Sequence, residues 1–283
     1  MKPFRIDPAG HLEVSGRKVT YYEGGKEQAG AGQLVFVHGT SGTFPEHFGE
    51  IASLLAPKAK VYGLDMDSST SDGAALELAD LVLQVETLLD EVVPSGPTTL
   101  VGYSLGAVVA AAVAARRPEA VDQLVLIAGW AATGQQQRLF NRVWADLWSS
   151  GSPALSTYMF NHFFGGPSQD SMPPGMADQI IQTLTMTDVV ARQMDLNDRI
   201  DITDELARIQ ARTLVIGCTH DQLVPLRQTK LLFGGIHDAR FQEITAGHAV
   251  IYERTAELVR SLDHFHSDPT RHPAGVTIPN LVA

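Results

Sequence analysis

Short apolar runs alternate with longer amphipathic stretches along most of this chain. Leu12 to Val14 and Lys18 to Tyr22 switch between polar and apolar residues on either side of Ser15-Gly16, the pattern of an antiparallel hairpin. A polar, glycine-rich link, Lys26 to Gly32, leads to the apolar run Leu34 to His38. A helix is then expected within Glu46 to Leu55, a strand over Ala59 to Leu64 and a second helix from about Gly73 to Val93. Thr98 to Val101 reads as a short buried strand, Ala107 to Ala115 as a tightly packed helix of small residues, and Val121 to Ile127 as another strand. Two further strand patterns, Thr213 to Gly217 and Arg240 to Thr245, come later, the second followed closely by a terminal helix. Strands alternating with helices in this way predict an α/β fold built on a mostly parallel, doubly wound sheet.

The alternation stops between Gly129 and Arg208, where the pattern is helical and rich in large apolar residues. Trp130, Trp144, Trp148, Tyr158, Phe160, Phe163, Phe164, Met172, Met176, Met186 and Met194 all fall there. Packing onto the rest of the protein is the ordinary role for such side chains. After Ser267 the chain changes again: Pro269, Pro273 and Pro279 punctuate a tail that is either disordered or an extended arm packed on a neighbouring surface, and such an arm would support a homodimer.

Composition narrows the function classes. A hydrophobic content of 44% over 283 residues is ample for a large core. The net charge of −11 argues against nonspecific nucleic-acid binding. A single cysteine excludes an intrachain disulfide framework and a cysteine-rich metal site, and Cys218 reads as a small buried strand residue. Met1 to Gly10 has no apolar signal region, so a cytoplasmic location is the default expectation. Leu100 to Ala115 is too short for a membrane span.

Chemistry enters at Gly102-Tyr103-Ser104-Leu105-Gly106, a G-x-S-x-G run between an apolar strand and a small-residue helix. Such a run has the sequence form of a nucleophile elbow, in which the serine sits on a sharp strand-to-helix turn and side chains at 102 and 106 would collide across it. The alternative is a glycine-bracketed turn with an N-cap serine. Asp221 follows the strand pattern that ends at Gly217-Cys218, and His248 follows the next strand within Ala246-Gly247-His248-Ala249. Taken alone, Asp221 could serve as a turn or cap residue and His248 as an ordinary helix-start residue. Together with Ser104 they give the order Ser, Asp, His, each at a strand end, which is the order of α/β-hydrolase triads. Upstream, the strand Leu34 to Val37 runs into His38-Gly39-Thr40-Ser41-Gly42. An elbow serine needs two N–H donors for an oxyanion: Leu105 supplies one, and the N–H of Thr40 is the candidate for the other.

Through these residues the sequence resembles the α/β-hydrolase superfamily across about residues 12 to 266. The resemblance implies an α/β-hydrolase fold with core residues 1–130 and 208–266, a helical cap over 131–207 and a tail over 267–283. It also implies that His38 and Gly39 shape the oxyanion loop, and it makes Thr40 and Ser41 candidates to add a side-chain hydroxyl to it. Trp130, Trp144, Phe160 and Phe164 become candidates for substrate contact. The implied activity is a serine-dependent hydrolase of a hydrophobic carboxylic ester that needs no cofactor and no metal. A thioesterase, lactonase or acyltransferase/cyclase acting on a bound acyl chain is the nearest rival, and a non-catalytic receptor of the same fold is the rival of another class. Asp65 reads as a loop or cap residue, His162 as a packed cap residue and His220 as a turn residue or a helper of Asp221. His264, His266 and His272 read as a solvated helix end rather than a metal site.

Overall fold

The computed structural model describes residues 6–26, 32–70 and 74–279, so most of the Lys26 to Gly32 link, the earliest N-terminal residues, the expected helix start at Gly73 and the end of the tail lie outside the described residues. The chain opens with β1 (Pro8–Val14) and β2 (Arg17–Gly25), paired antiparallel. Ser15 and Gly16 between them have φ of 50° and 78°, the left-handed pair that a two-residue hairpin turn demands. Next come β3 (Gln33–Val37), α1 (Phe44–Leu55), β4 (Lys60–Asp65), α2 (Leu78–Glu91), β5 (Thr98–Tyr103), α3 (Leu105–Arg116) and β6 (Gln123–Ile127). Five helices follow before the sheet resumes: α4 (Gln135–Ser149), α5 (Ala154–Phe163), α6 (Gly166–Asp170), α7 (Met176–Thr183) and α8 (Asp188–Arg199). The chain then returns through β7 (Arg212–Cys218), α9 (Leu226–Gly235), β8 (Ala239–Ile244), α10 (Val250–Glu253), α11 (Thr255–Ser267) and β9 (Thr277–Ile278).

The nine strands among the described residues form one sheet in the order β1-β2-β4-β3-β5-β6-β7-β8-β9, antiparallel at β1 and β2 and parallel from β4 onward. Alternate strand residues feed two separate cores. Val35 and Val37 pack with α2, α3 and Leu232 of α9 on one face, while Leu34 and Phe36 pack with α1 and α11 on the other. This is the doubly wound α/β arrangement. Helix α3 is buried all round, which its run of alanine and valine permits, since small side chains let it lie close against the sheet. Asp65 closes β4 as a capping residue: it accepts from Tyr22 Oη (2.7 Å) and from the N–H of Phe44 at the start of α1 (2.7 Å). Among the described residues no helix is long and apolar enough to cross a membrane.

At the C-terminal end one expectation is narrowed and another needs correction. Of the two readings of the tail, the extended arm describes it as far as Pro279. Gly275 N–H donates to Ala239 O (2.8 Å), Phe241 N–H donates to Val276 O (2.9 Å), and β9 pairs parallel with β8, so the arm covers the edge of its own sheet. The expectation of a solvated helix end fails at His266. That residue is half-buried, its Nδ1 lies 2.7 Å from Thr99 Oγ1, and burial lowers its pKa. The buried face of α11, which also carries Leu262 and Phe265, brings it onto the sheet, while His264 stays exposed. Among the described residues no group of three or more His, Cys, Asp or Glu is arranged to hold a metal ion.

Candidate active site

The turn from β5 into α3 puts Ser104 at φ 55°, ψ −122°, a conformation that L-residues avoid and that the surroundings must enforce. Close backbone contacts enforce it. A Cβ at Gly102 would lie 2.2 Å from Gly106 O, and one at Gly106 would lie 2.1 Å from Val37 O, so both glycines are required for α3 to start against β3. Ser104 N–H donates to Ile127 O (2.9 Å), tying the elbow to β6.

Ser104, Asp221 and His248, from three different strand ends, meet in one hydrogen-bonded line. His248 Nε2 lies 2.8 Å from Ser104 Oγ, and His248 Nδ1 lies 2.7 Å from Asp221 Oδ2. The other Asp221 oxygen accepts the N–H groups of Leu223 (2.9 Å) and Val224 (2.8 Å), which fixes the carboxylate in place. Tyr103 Oη donates to His248 O (2.7 Å), and Ala249 N–H donates to Phe163 O (2.8 Å). All three side chains are buried. In this arrangement Nδ1–H donates to the carboxylate and Nε2 is free to accept the serine proton. Cys218, at the end of β7, is a buried strand residue whose thiol is pushed well up by burial, so it is no nucleophile.

The loop after β3 carries two histidines in fixed tautomers. His38 Nε2 accepts from Met66 N–H (2.8 Å), so its Nδ1–H donates to Gly39 O (2.8 Å), and burial holds its pKa below the usual imidazole value. His47, on the buried face of α1, accepts Gly39 N–H at Nδ1 (3.1 Å). Burial, reinforced by His38 and His248, pushes its pKa down to about 3. With the Gly39 N–H taken, the N–H groups of Thr40 and Leu105 have no protein acceptor among the described residues. Helix α8 braces the same loop: Gln193 Oε1 accepts Ser41 N–H (2.9 Å), Gln193 Nε2 donates to Ser68 Oγ (2.8 Å), and Asn197 Nδ2 donates to Thr40 Oγ1 (3.0 Å). Sequence reasoning missed His47, Gln193 and Asn197. Their signal was a polar residue at a position that helical spacing assigns to the buried face.

Above Ser104 lies a cavity, part of it open to solvent, walled by Trp130, Phe140, Met159, Phe163, Met186, Met194 and other apolar side chains. Of the four expected contact residues, only Trp130 lines it. Phe164 faces an adjoining outer groove, which shares Ser41, His47, Phe163, Leu184 and Met186 with the cavity. Trp144 and Phe160 do not reach the site. Trp144 stacks on Trp148 (5.8 Å) within a core between α4, α5 and α8, and Phe160 packs on Phe164 (5.0 Å). Their size serves the interior of the helical insertion. His162 packs beside Tyr158 and Phe140, and His220 is an exposed turn residue whose side chain makes no bond to Asp221.

Comparison with known proteins places this geometry in context. The profile described as "Alpha/beta hydrolase family" matches residues 34–261. Pyrrolizixenacetamide deacetylase of Xenorhabdus hominickii is 31% identical over 261 residues, covering 90% of this chain and 96% of its own. Among solved structures, MGS-M2, an alpha/beta hydrolase enzyme from a Medee basin deep-sea metagenome library, superposes with a TM-score of 0.81 at 17% identity, covering 94% of this chain and 100% of its own. The enol-lactonase from Burkholderia xenovorans LB400 gives 0.74 at 20% identity, covering 91% and 99%. At such identities these two likenesses concern the fold alone.

Proposed function

This chain belongs to the alpha/beta hydrolase family, and on that premise we propose that it is a serine hydrolase cleaving a carboxylic ester of a hydrophobic small molecule through an acyl-enzyme. The observation that carries the reading is the line Ser104 Oγ, His248 Nε2, His248 Nδ1, Asp221 Oδ2, with steps of 2.8 and 2.7 Å, at the base of an apolar cavity. His248 takes the Ser104 proton as Oγ attacks the ester carbonyl, and Asp221 stabilises the imidazolium. The unengaged N–H groups of Leu105 and Thr40 are the donors assigned to the oxyanion. His248 then protonates the departing alkoxide. Water, deprotonated by the same imidazole, attacks the acyl-enzyme and releases the acid and Ser104. The helical insertion acts as the cap that forms the apolar walls.

Incubation with a fluorophosphonate followed by intact-mass measurement tests the nucleophile: one adduct is expected on the wild type and none on Ser104→Ala. Labelling that survives Ser104→Ala would overturn the assignment. One observation favours a second reading. The Xenorhabdus relative, which matches along nearly its whole length, is named for removing an acetyl group from an acetamide. The same machinery cleaves an amide if His248 protonates the departing amine. Matched acetyl esters and acetanilides of one apolar aryl group separate the two, the ester reading expecting the larger kcat/KM on the ester relative to the spontaneous rates.

A further inference from the structure

His47 has a role in the site that the triad leaves unused. Its Nδ1 is the acceptor for Gly39 N–H at 3.1 Å, so a neutral ring carries its proton on Nε2. Burial keeps the ring neutral. That Nε2–H has no acceptor among the described residues, although the side chain is only 8% exposed. Its place in the fold shows what it faces. His47 belongs to the walls of both the cavity over Ser104 and the outer groove, at their junction. Directly before the ring lies Gly42, where a Cβ would sit 2.2 Å from Nε2. Gly42 is not among the positive-φ glycines, so the backbone does not require glycine there. What requires it is the imidazole ring itself, whose Cε1, Nε2 and Cδ2 atoms a Cβ would meet at 2.2, 2.2 and 2.6 Å. His47 Nε2 is not among the sealed polar atoms without partners, so this unpartnered donor in the wall of the cavity beside Ser104 is open to a ligand acceptor.

We propose that the Nε2–H of His47 binds an acceptor oxygen of the substrate other than the scissile carbonyl oxygen, so that the substrate is an apolar ester or amide carrying an ether, carbonyl or hydroxyl oxygen where it passes from the inner cavity to the outer groove. The proposal rests on the hydrolase reading of Ser104. At the junction the remaining wall is apolar apart from Ser41, whose N–H is held by Gln193. An ether oxygen placed there without a donor would lose its hydration for nothing, whereas with His47 it exchanges water for a protein hydrogen bond.

The test uses isosteric pairs in which one CH2 becomes O. On the acyl side these are p-nitrophenyl methoxyacetate with butanoate, 3-methoxypropanoate with pentanoate, and 4-methoxybutanoate with hexanoate. On the alcohol side the pair is the butanoates of 2-methoxyethanol and n-butanol. His47→Asn keeps an acceptor near the Nδ1 position for Gly39 N–H and removes the distal donor. In the wild type at least one ether ester is expected to match or exceed its hydrocarbon twin in kcat/KM. His47→Asn is expected to lower the ratio of kcat/KM on that ester to kcat/KM on its twin about tenfold, as loss of a single substrate hydrogen bond does. Hydrocarbon twins preferred in every wild-type pair, or a variant that depresses both members of each pair equally, would overturn the proposal and leave His47 as a brace for Gly39. The wild-type comparison stands even if the variant does not fold. If fluorophosphonate fails to label Ser104, the hydrolase reading itself falls, and this proposal with it.

Discussion

Single residues set both the chemistry and the pH response. If Ser104 and His248 act as one unit, removing either should cost about as much as removing both. Ser104→Ala and His248→Ala are each expected to lower kcat by up to about 10⁶-fold, measured on the best ester, and retention of a tenth of wild-type activity by Ser104→Ala would refute the nucleophile. A second residue-scale consequence concerns stability. The unfolded chain protonates His47 below about pH 6.5, whereas the folded protein resists until about pH 3. The unfolded state therefore binds more protons in that window, so the stabilisation from a neutral His47 is complete above about pH 6.5 and declines as pH falls toward 3. His38, lowered in the same direction, adds to the slope. Urea-unfolding free energies at pH 7.5, 6.0 and 5.0 should fall with acid by up to about 1.4 kcal/mol per pH unit for each such proton. His47→Asn should show a shallower decline, and an unchanged slope in that variant would count against a neutral His47.

Elements bring these residues into register, and their legibility varied with how local the signal was. The hairpin, the parallel strands and the elbow helix could be read because period-two alternation, a Ser-Gly turn and a run of alanine and valine are all local patterns. Helix α9, LRQTKLLFGG, went unread because its apolar residues are few and it ends in two glycines. Strand β9 went unread because two residues between prolines carry no alternation, and pairing with β8 alone makes them a strand. In the site the triad was legible by its order along the chain. The support from α8 was not, since Gln193 and Ser41 are 152 residues apart and nothing in either neighbourhood announces the other. That contact yields an element-scale prediction. Gln193 is the acceptor for Ser41 N–H and the donor to Ser68, joining the oxyanion loop, α8 and the segment after β4. Gln193→Leu should leave Ser41 N–H and Ser68 without these partners, a loss of about 1–3 kcal/mol at a buried site. The expected result is a kcat lowered about 10- to 100-fold with circular dichroism unchanged. Full activity in a folded variant would mean that the loop holds its shape without α8.

At the scale of the whole molecule, the sheet and the helical insertion meet over Ser104, and the question is how much acyl chain the space between them accepts. The insertion is fastened at its base. Gly165 N–H (2.9 Å) and Gly247 N–H (3.1 Å) share the carboxylate of Glu253, and a Cβ at Gly247 would lie 2.1 Å from Gly165 N, so the two backbones touch beside His248. Farther out, α7 contributes no buried residue. A roof clamped at one side and shallowly packed at the other covers a cavity that adjoins the outer groove. Which aromatics would line it was beyond the sequence, because Trp144 and Phe140 are four apart on α4 and both are buried, yet only Phe140 faces the cavity. The apolar walls nonetheless predict a size preference. Each acyl methylene that moves from water into the cavity is worth up to about 0.8 kcal/mol, a factor of roughly four in kcat/KM. Activity on p-nitrophenyl esters, held below micelle-forming concentrations, should therefore climb from acetyl through medium chains and level off or fall once the cavity is full. A monotonic fall from acetyl onward would mean that the space above Ser104 does not take the acyl group. The triad would survive that result, since it rests on Ser104, His248 and Asp221, whereas the size preference rests on Phe140, Met159, Phe163, Met186 and Met194. An acetyl optimum would instead favour the proposed deacetylase reading, with the acetyl group at Ser104 and the apolar part of the substrate as the leaving group.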